Sequence, residues 1–181
     1  YAKKVKETFL ETYVASGNVG TGVVTPADKP FCLALCSEED LLVIVSREGA
    51  LLSTPVAALP FTIQEALRLG PTDHVVAAFV IRDEGYFLAV TQNGKVFYRD
   101  RSWLEPAGDA RSQGRAILSK TRLQAGMRLV GAAPVSERHW GIALAADGQF
   151  SLTRIRAAFG AGSLLAPGSE LEVLGFTAFD V

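Results

Sequence analysis

One short pattern, written three times, constrains this chain more than anything else: an apolar strand, a polar turn closing on Gly, and a second strand. The copies are Leu41–Leu59, Tyr86–Leu104 and Gly141–Phe159. Superposing Gly49, Gly94 and Gly148 brings Leu59, Leu104 and Ala158 together ten positions downstream. A second element recurs between the hairpins as Leu69-x5-Val75, Leu123-x5-Leu129 and Leu165-x5-Leu171, each leading into an apolar run. The marker glycines are 45 and then 54 residues apart, a period at which internal repetition signals propeller blades or a related closed array. A unit of this size cannot bury its own apolar faces, so its neighbours must cover them.

The local signals are those of strands. Phe31–Cys36, Leu41–Val45, Ala50–Ser53, His74–Ile81, Tyr86–Thr91, Lys95–Arg99, Arg128–Ala133, Gly141–Ala145 and Gln149–Arg154 are apolar or β-branched runs, and a further strand is expected in Val173–Val181. Asn93-Gly94 and Asp147-Gly148 are strong hairpin turns, while Glu48-Gly49 predicts a looser, bulged version. Runs such as Leu41–Val45 read as strands covered on both faces. Helical candidates within the repeats reduce to Thr62–Leu69 and a short turn at Ser102–Leu104, too little for the crossovers of an α/β fold. The expectation is an all-β, propeller-like array, with a barrel or sandwich made by duplication as the second architecture.

Residues 1–30 read as an N-terminal helix and loop, the helix spanning Lys3–Tyr13, with a short strand at Val23-Val24. Residues 31–181 form the repeat domain, with units at about 31–68, 69–122 and 123–164 and a partial unit at 165–181. Val90, Val96, Leu129 and Ile142 are the expected core positions.

Composition narrows the function. A content of 49% apolar residues over 181 residues supports a core without metal or disulfide staples. Cys32 and Cys36 read as buried thiols on one strand face. The formal net charge of -1 gives no global signal for nucleic acid. The middle of the chain differs: eight Lys and Arg stand against three acids from Tyr86 to Arg128. Neither a signal peptide nor a long apolar run is present, which predicts a soluble, intracellular protein. The opening Tyr1-Ala2-Lys3-Lys4, without Met, is what a piece of a longer protein would show. His74 and His139 lack a positioned nucleophile, and no phosphate-loop, dinucleotide or metal-ligand spacing occurs. The reading is therefore not an enzyme, with no cofactor and no metal.

The stretch Leu69-x3-Asp73-His-Val-Val-Ala, followed by Tyr86-Phe-Leu-Ala-Val-Thr-Gln-Asn-Gly-Lys-Val-Phe, resembles the repeat of the C-terminal domain of the DNA gyrase A subunit and of its topoisomerase IV counterpart. The elements that carry the resemblance are Val90-Thr91-Gln92-Asn93-Gly94-Lys95-Val96, Gln113-Gly114-Arg115-Ala116-Ile117 and Leu123-x2-Gly126-Met127-Arg128-Leu129-Val130-Gly131, within about Phe31–Phe179. It implies a β-pinwheel with three or four four-stranded blades and a strand exchanged between neighbours. It also implies a non-catalytic domain that binds duplex DNA on a basic rim and bends it. The basic Gly-rich box of gyrase has its nearest counterpart in Ala110–Ala116, which keeps part of its basic and glycine character.

The rim candidates are Lys95, Arg99, Arg101, Arg111, Arg115, Lys120, Arg122 and Arg128, extended by Arg154 and Arg156. Flexible cations of this kind follow phosphates without reading bases. Trp103 and Trp140 are read as loop anchors rather than base-stacking residues. Double-stranded DNA is the expected partner, with the remainder of a gyrase-like protein as a second. The location implied is cytoplasmic and, where DNA is held, associated with the nucleoid. The alternative is a pinwheel that contacts a protein instead of DNA. Oligomeric state is left open.

Overall fold

The computed structural model describes residues 36–58, 69–82, 86–104, 115–164 and 171–180. The expected N-terminal helix, the Val23-Val24 strand, the Phe31–Cys36 strand apart from Cys36, the Thr62–Leu69 helix apart from Leu69, and Arg111 lie outside these residues.

The strands are β1 (Leu41–Ser46), β2 (Ala50–Pro55), β3 (Val75–Ile81), β4 (Tyr86–Thr91), β5 (Val96–Asp100), β6 (Arg115–Ala116), β7 (Leu129–Val135), β8 (Trp140–Ala145), β9 (Phe150–Arg154) and β10 (Val173–Phe179). Two short helices, α1 (Lys120–Gln124) and α2 (Ile155–Ala161), and 3-10 turns at Val56–Ala58 and Arg101–Leu104 complete the described elements.

The three marker glycines occupy equivalent turns. Gly49, Gly94 and Gly148 have φ of 85°, 75° and 83°, a left-handed conformation that costs any residue with a Cβ. Their amides donate to Ser46, Thr91 and Ala145 at 3.0, 2.9 and 3.0 Å. Each hairpin then takes a third antiparallel strand from downstream: β3 on β1, β7 on β4 and β10 on β8. The sheets run β3-β1-β2-β6, β7-β4-β5 and β10-β8-β9. These are three blades of one design, as the repeat predicted.

The fourth strand is the exchanged one. In the first blade it is β6, which follows the second blade's hairpin in sequence yet pairs with β2, Ala50 opposite Ala116 and Leu51 opposite Arg115. In the second blade it shrinks to one bridge, Lys95 with Ser163. The anchoring bonds correspond: Ile117 N donates to Gly49 O at 2.7 Å, and Leu164 N to Gly94 O at 2.9 Å. Among the described residues, the second and third sheets have three strands each rather than four.

The core lies between blades. Leu41, Val43, Val45, Phe79 and Ile81 of the first blade pack with Phe87, Ala89 and Phe97 of the second. Leu88 and Val90, on the second blade's other face, pack with Ala143, Ile155, Ala158 and Val173 of the third. This two-sided use explains the uninterrupted apolar run of β4, whose alternate residues enter different seams.

Several expectations need correction. Val90 and Leu129 are fully buried, but Val96 and Ile142 are only half-buried. In the third unit the strand lead-in is displaced by two residues from the Leu165-x5-Leu171 pattern. Leu129 N donates to Arg47 O, and its counterpart, Val173 N, donates to Gln92 O. Val173 is the buried side chain there, while Leu171 is exposed. The helices α1 and α2 were not anticipated. Ser119 caps α1 by accepting from Arg122 N at 3.4 Å. Gly126, at φ 81°, ends it with Gly126 N to Leu123 O and Met127 N to Arg122 O, both 3.0 Å, a Schellman closure.

Candidate nucleic-acid interface

The cations of the middle repeat gather where the outer strands of the first two blades meet. Arg99 leaves β5 on the same face as Phe97 and places its guanidinium carbon 5.4 Å from the Trp103 ring centre. Arg115, on β6, approaches the same ring at 5.9 Å. Arg122, on α1, lies over the Phe97 ring at 5.0 Å. Trp103 is in turn held by Phe87, 6.0 Å away, and by its amide donating to Asp100 Oδ1 at 3.1 Å. Two blades and a helix therefore deliver three guanidiniums to one seam.

Stacking orients these side chains without neutralising them. An arginine over an indole or phenyl face keeps its full charge and most of its donors at the ring's edge. Arg99 spends one donor on Tyr98 O at 2.7 Å and Arg115 one on Trp103 O at 2.6 Å. Among the described residues, no carboxylate lies within ion-pair distance of Arg99, Arg115 or Arg122. Lys120 is exposed on the helix that carries Arg122, and Lys95 is exposed at the other end of β5. Arg101 reaches back to Glu39 O at 3.4 Å across the same seam.

The remaining candidates are placed elsewhere. Arg128 is a structural residue. Its guanidinium donates to Leu123 O and Met127 O at 2.9 and 2.8 Å, closing the end of α1. Its amide is also held by Gln92 Oε1, while Gln92 Nε2 donates to Gly126 O. Arg154 belongs to the third blade, 5.1 Å over the Trp140 ring, and Arg156 is exposed on α2. Arg111 lies outside the described residues. The aromatic platform itself was read as an anchor, and Trp103 is one. What the sequence reading missed is that two arginines share it, because Arg99 and Arg115 converge only through the strand exchange.

The two histidines have backbone surroundings. Asp73 Oδ1 accepts from Glu48 N and His74 N, both at 2.9 Å, and His139 Nδ1 accepts from Ser136 N at 3.2 Å. Tyr98, against the Tyr86 ring at 4.9 Å, has its pKa pushed up to about 12, first by burial and then by its hydrogen bond with Tyr86.

No protein-family model matches the chain, and no curated protein matches it. Solved structures do. A C-terminal domain of DNA topoisomerase IV is similar at a TM-score of 0.61 and 16% identity, covering 78% of this chain and 47% of that one. The E. coli ParC C-terminal domain is similar at 0.64 and 15%, covering 90% and 69%. A DNA gyrase A C-terminal domain follows at 0.52 and 12%, covering 78% and 48%. The chain thus spans about half the length of two of these domains. The resemblance read from the repeat is borne out as a shared fold.

Proposed function

We propose that this chain is a non-catalytic module that binds duplex DNA weakly, without base specificity, through the basic rim at the seam of its first two blades. It serves a gyrase-like or topoisomerase IV-like protein in the cytoplasm. The observation that carries the reading is the convergence of Arg99, Arg115 and Arg122 on two aromatic rings with no neutralising carboxylate among the described residues. The names of the solved domains that share the fold, topoisomerase IV and gyrase A, point the same way. Arg101, Lys120 and Lys95 extend the rim, while Arg128 has a structural role. Among the described residues, no helix is long and apolar enough to cross a membrane.

The test is a titration of a mixed-sequence duplex at two salt concentrations, with the parent and an Arg99→Gln/Arg115→Gln variant. Each phosphate contact contributes about 0.9 to the slope of log affinity against log salt. The variant is expected to lose a slope of about 1–2 while keeping a cooperative melt. Absence of binding at low salt, or an unchanged slope in the folded variant, would refute the assignment. A second duplex of different sequence should bind within about threefold, because phosphate contacts carry no base information.

A further inference from the structure

The turn glycines make the three blades directly comparable, and the third presents an open face. Aligning them makes Val45, Val90 and Leu144 equivalent, as are Leu51, Val96 and Phe150. In the first two blades this face enters a seam, with Val45 and Val90 at 0% exposure. In the third, Leu144 is 45%, Leu152 49% and Phe150 71% exposed. The ladders place Leu144 opposite Phe150, Ile142 opposite Leu152, and Trp140 opposite both Arg154 and Phe179. These side chains share one side of the sheet, and all but Arg154 are apolar.

The charges around this face are separated along the strands. Arg154 stands on the face at the end where β8 begins and β9 stops. Asp147 lies at the opposite end, in the hairpin turn. Glu172 is beside it, its carbonyl accepting from Ala146 N at 2.8 Å. All three side chains are exposed, and among the described residues none of them is ion-paired. Glu137 and Arg138, adjacent in the turn before β8, offset each other, and Asp180 is already engaged within the chain.

We infer that this face packs on the same face of a second copy, sheet on sheet, in an isologous dimer with the strands of the two copies antiparallel. Charge chooses the arrangement. A two-fold axis along the strands would gather both Arg154 side chains at one end and both acidic turns at the other. An axis across the strands brings Arg154 of each copy to the Asp147 and Glu172 end of the other, giving two equal polar contacts around an apolar centre. That axis passes through the middle of the paired segment, so Leu152 and Ile142 meet their own counterparts. Sheets packed this way interdigitate their side chains with strand directions within about 30°. A three-stranded face six residues long measures about 15 by 20 Å. With its side-chain relief and polar ends it reaches the lower range of specific interfaces, roughly 600 Å² per partner. The dimer is therefore weak, with a dissociation constant on the order of 10 µM. The inference is independent of the DNA reading.

The experiment is sedimentation equilibrium of the purified chain up to about 0.5 mM, roughly fifty times the expected dissociation constant, with Leu152→Glu and Leu152→Lys beside the parent. The parent is expected to dimerise. Each variant alone should dimerise about tenfold more weakly or worse, because like charges then face each other across the axis. Mixing the two should recover a one-to-one heterodimer tighter than either variant alone, since a carboxylate then faces an ammonium. Only a contact in which position 152 meets itself predicts that recovery. A second pair tests the orientation. Arg154→Glu and Asp147→Arg should each weaken the dimer about threefold or more, and both together in one chain should restore it. A parent that stays monomeric throughout, or association indifferent to the Leu152 variants, overturns the proposal. So does a mixture no tighter than the single variants, which would put an unlike surface opposite this face. Leu152, Arg154 and Asp147 are exposed, so their variants should fold. Should a Leu152 variant fail to melt cooperatively, the charge pair decides, and a double variant that stays as weak as its parents counts against the join.

Discussion

Two glycines with one backbone conformation offer the sharpest test of the blade equivalence. Gly49→Ala and Gly148→Ala place the same methyl group at φ of 85° and 83°. Both lose roughly 1–2 kcal/mol to the left-handed conformation. Part of that, about 0.4–1 kcal/mol, is offset by the lower entropy of the unfolded chain. These terms cancel in the comparison, and the surroundings do not. The new Cβ at Gly49 meets the Leu118 amide nitrogen and side chain at 3.0 Å, whereas at Gly148 it enters open space. The Leu118 backbone is held in place because Ile117 N bonds to Gly49 O at 2.7 Å, so the contact cannot be relieved by rotating a side chain. Overpacking of this kind costs about 1–3 kcal/mol. Gly148→Ala should therefore lose about 1 kcal/mol and Gly49→Ala about 2–4 kcal/mol. For a chain of this size the difference corresponds to a melting-temperature gap of roughly 5 °C. Urea unfolding of both variants measures the difference in stability. Equal losses would refute the claim that the exchanged strand seals the first turn and leaves the third bare.

Leu129→Ala, at a fully buried position beneath the first two blades, should cost about 2–5 kcal/mol in denaturant unfolding. Arg128→Gln removes the guanidinium bonds to Leu123 O and Met127 O. It should lower stability by about 1–2 kcal/mol while leaving the salt slope of duplex binding unchanged. Tyr98 gives an alkaline signature. Its folded pKa of about 12 lies above the ordinary 10. Its contribution is therefore complete below about pH 10 and is lost as pH rises through about 12. A melting-temperature series from pH 9 upward should fall in that window, and Tyr98→Phe should flatten the fall.

Much of the fold was legible because the repeat is written in backbone requirements. Gly49, Gly94 and Gly148 mark turns only Gly takes cheaply, and apolar runs between them can only be strands buried in the seams. The lead-in Leu165-x5-Leu171 misled because the third unit's register is set by burial of Val173, which sequence spacing does not report. Helices α1 and α2 escaped because they are five and seven residues long, too short for a periodic signal. The charge excess of the middle repeat was visible as composition. Its division into working and structural residues was not: Arg128 faces carbonyls at the end of α1, while Arg99 and Arg115, 16 residues apart, share one ring. The sequence by itself determined the unit, its turns and the faces that must be buried, since these follow from φ preferences and hydrophobicity along a single stretch of chain. Only the tertiary structure decided which unit covers which, because the strand exchange joins segments about 65 residues apart in sequence and no local preference encodes a neighbour.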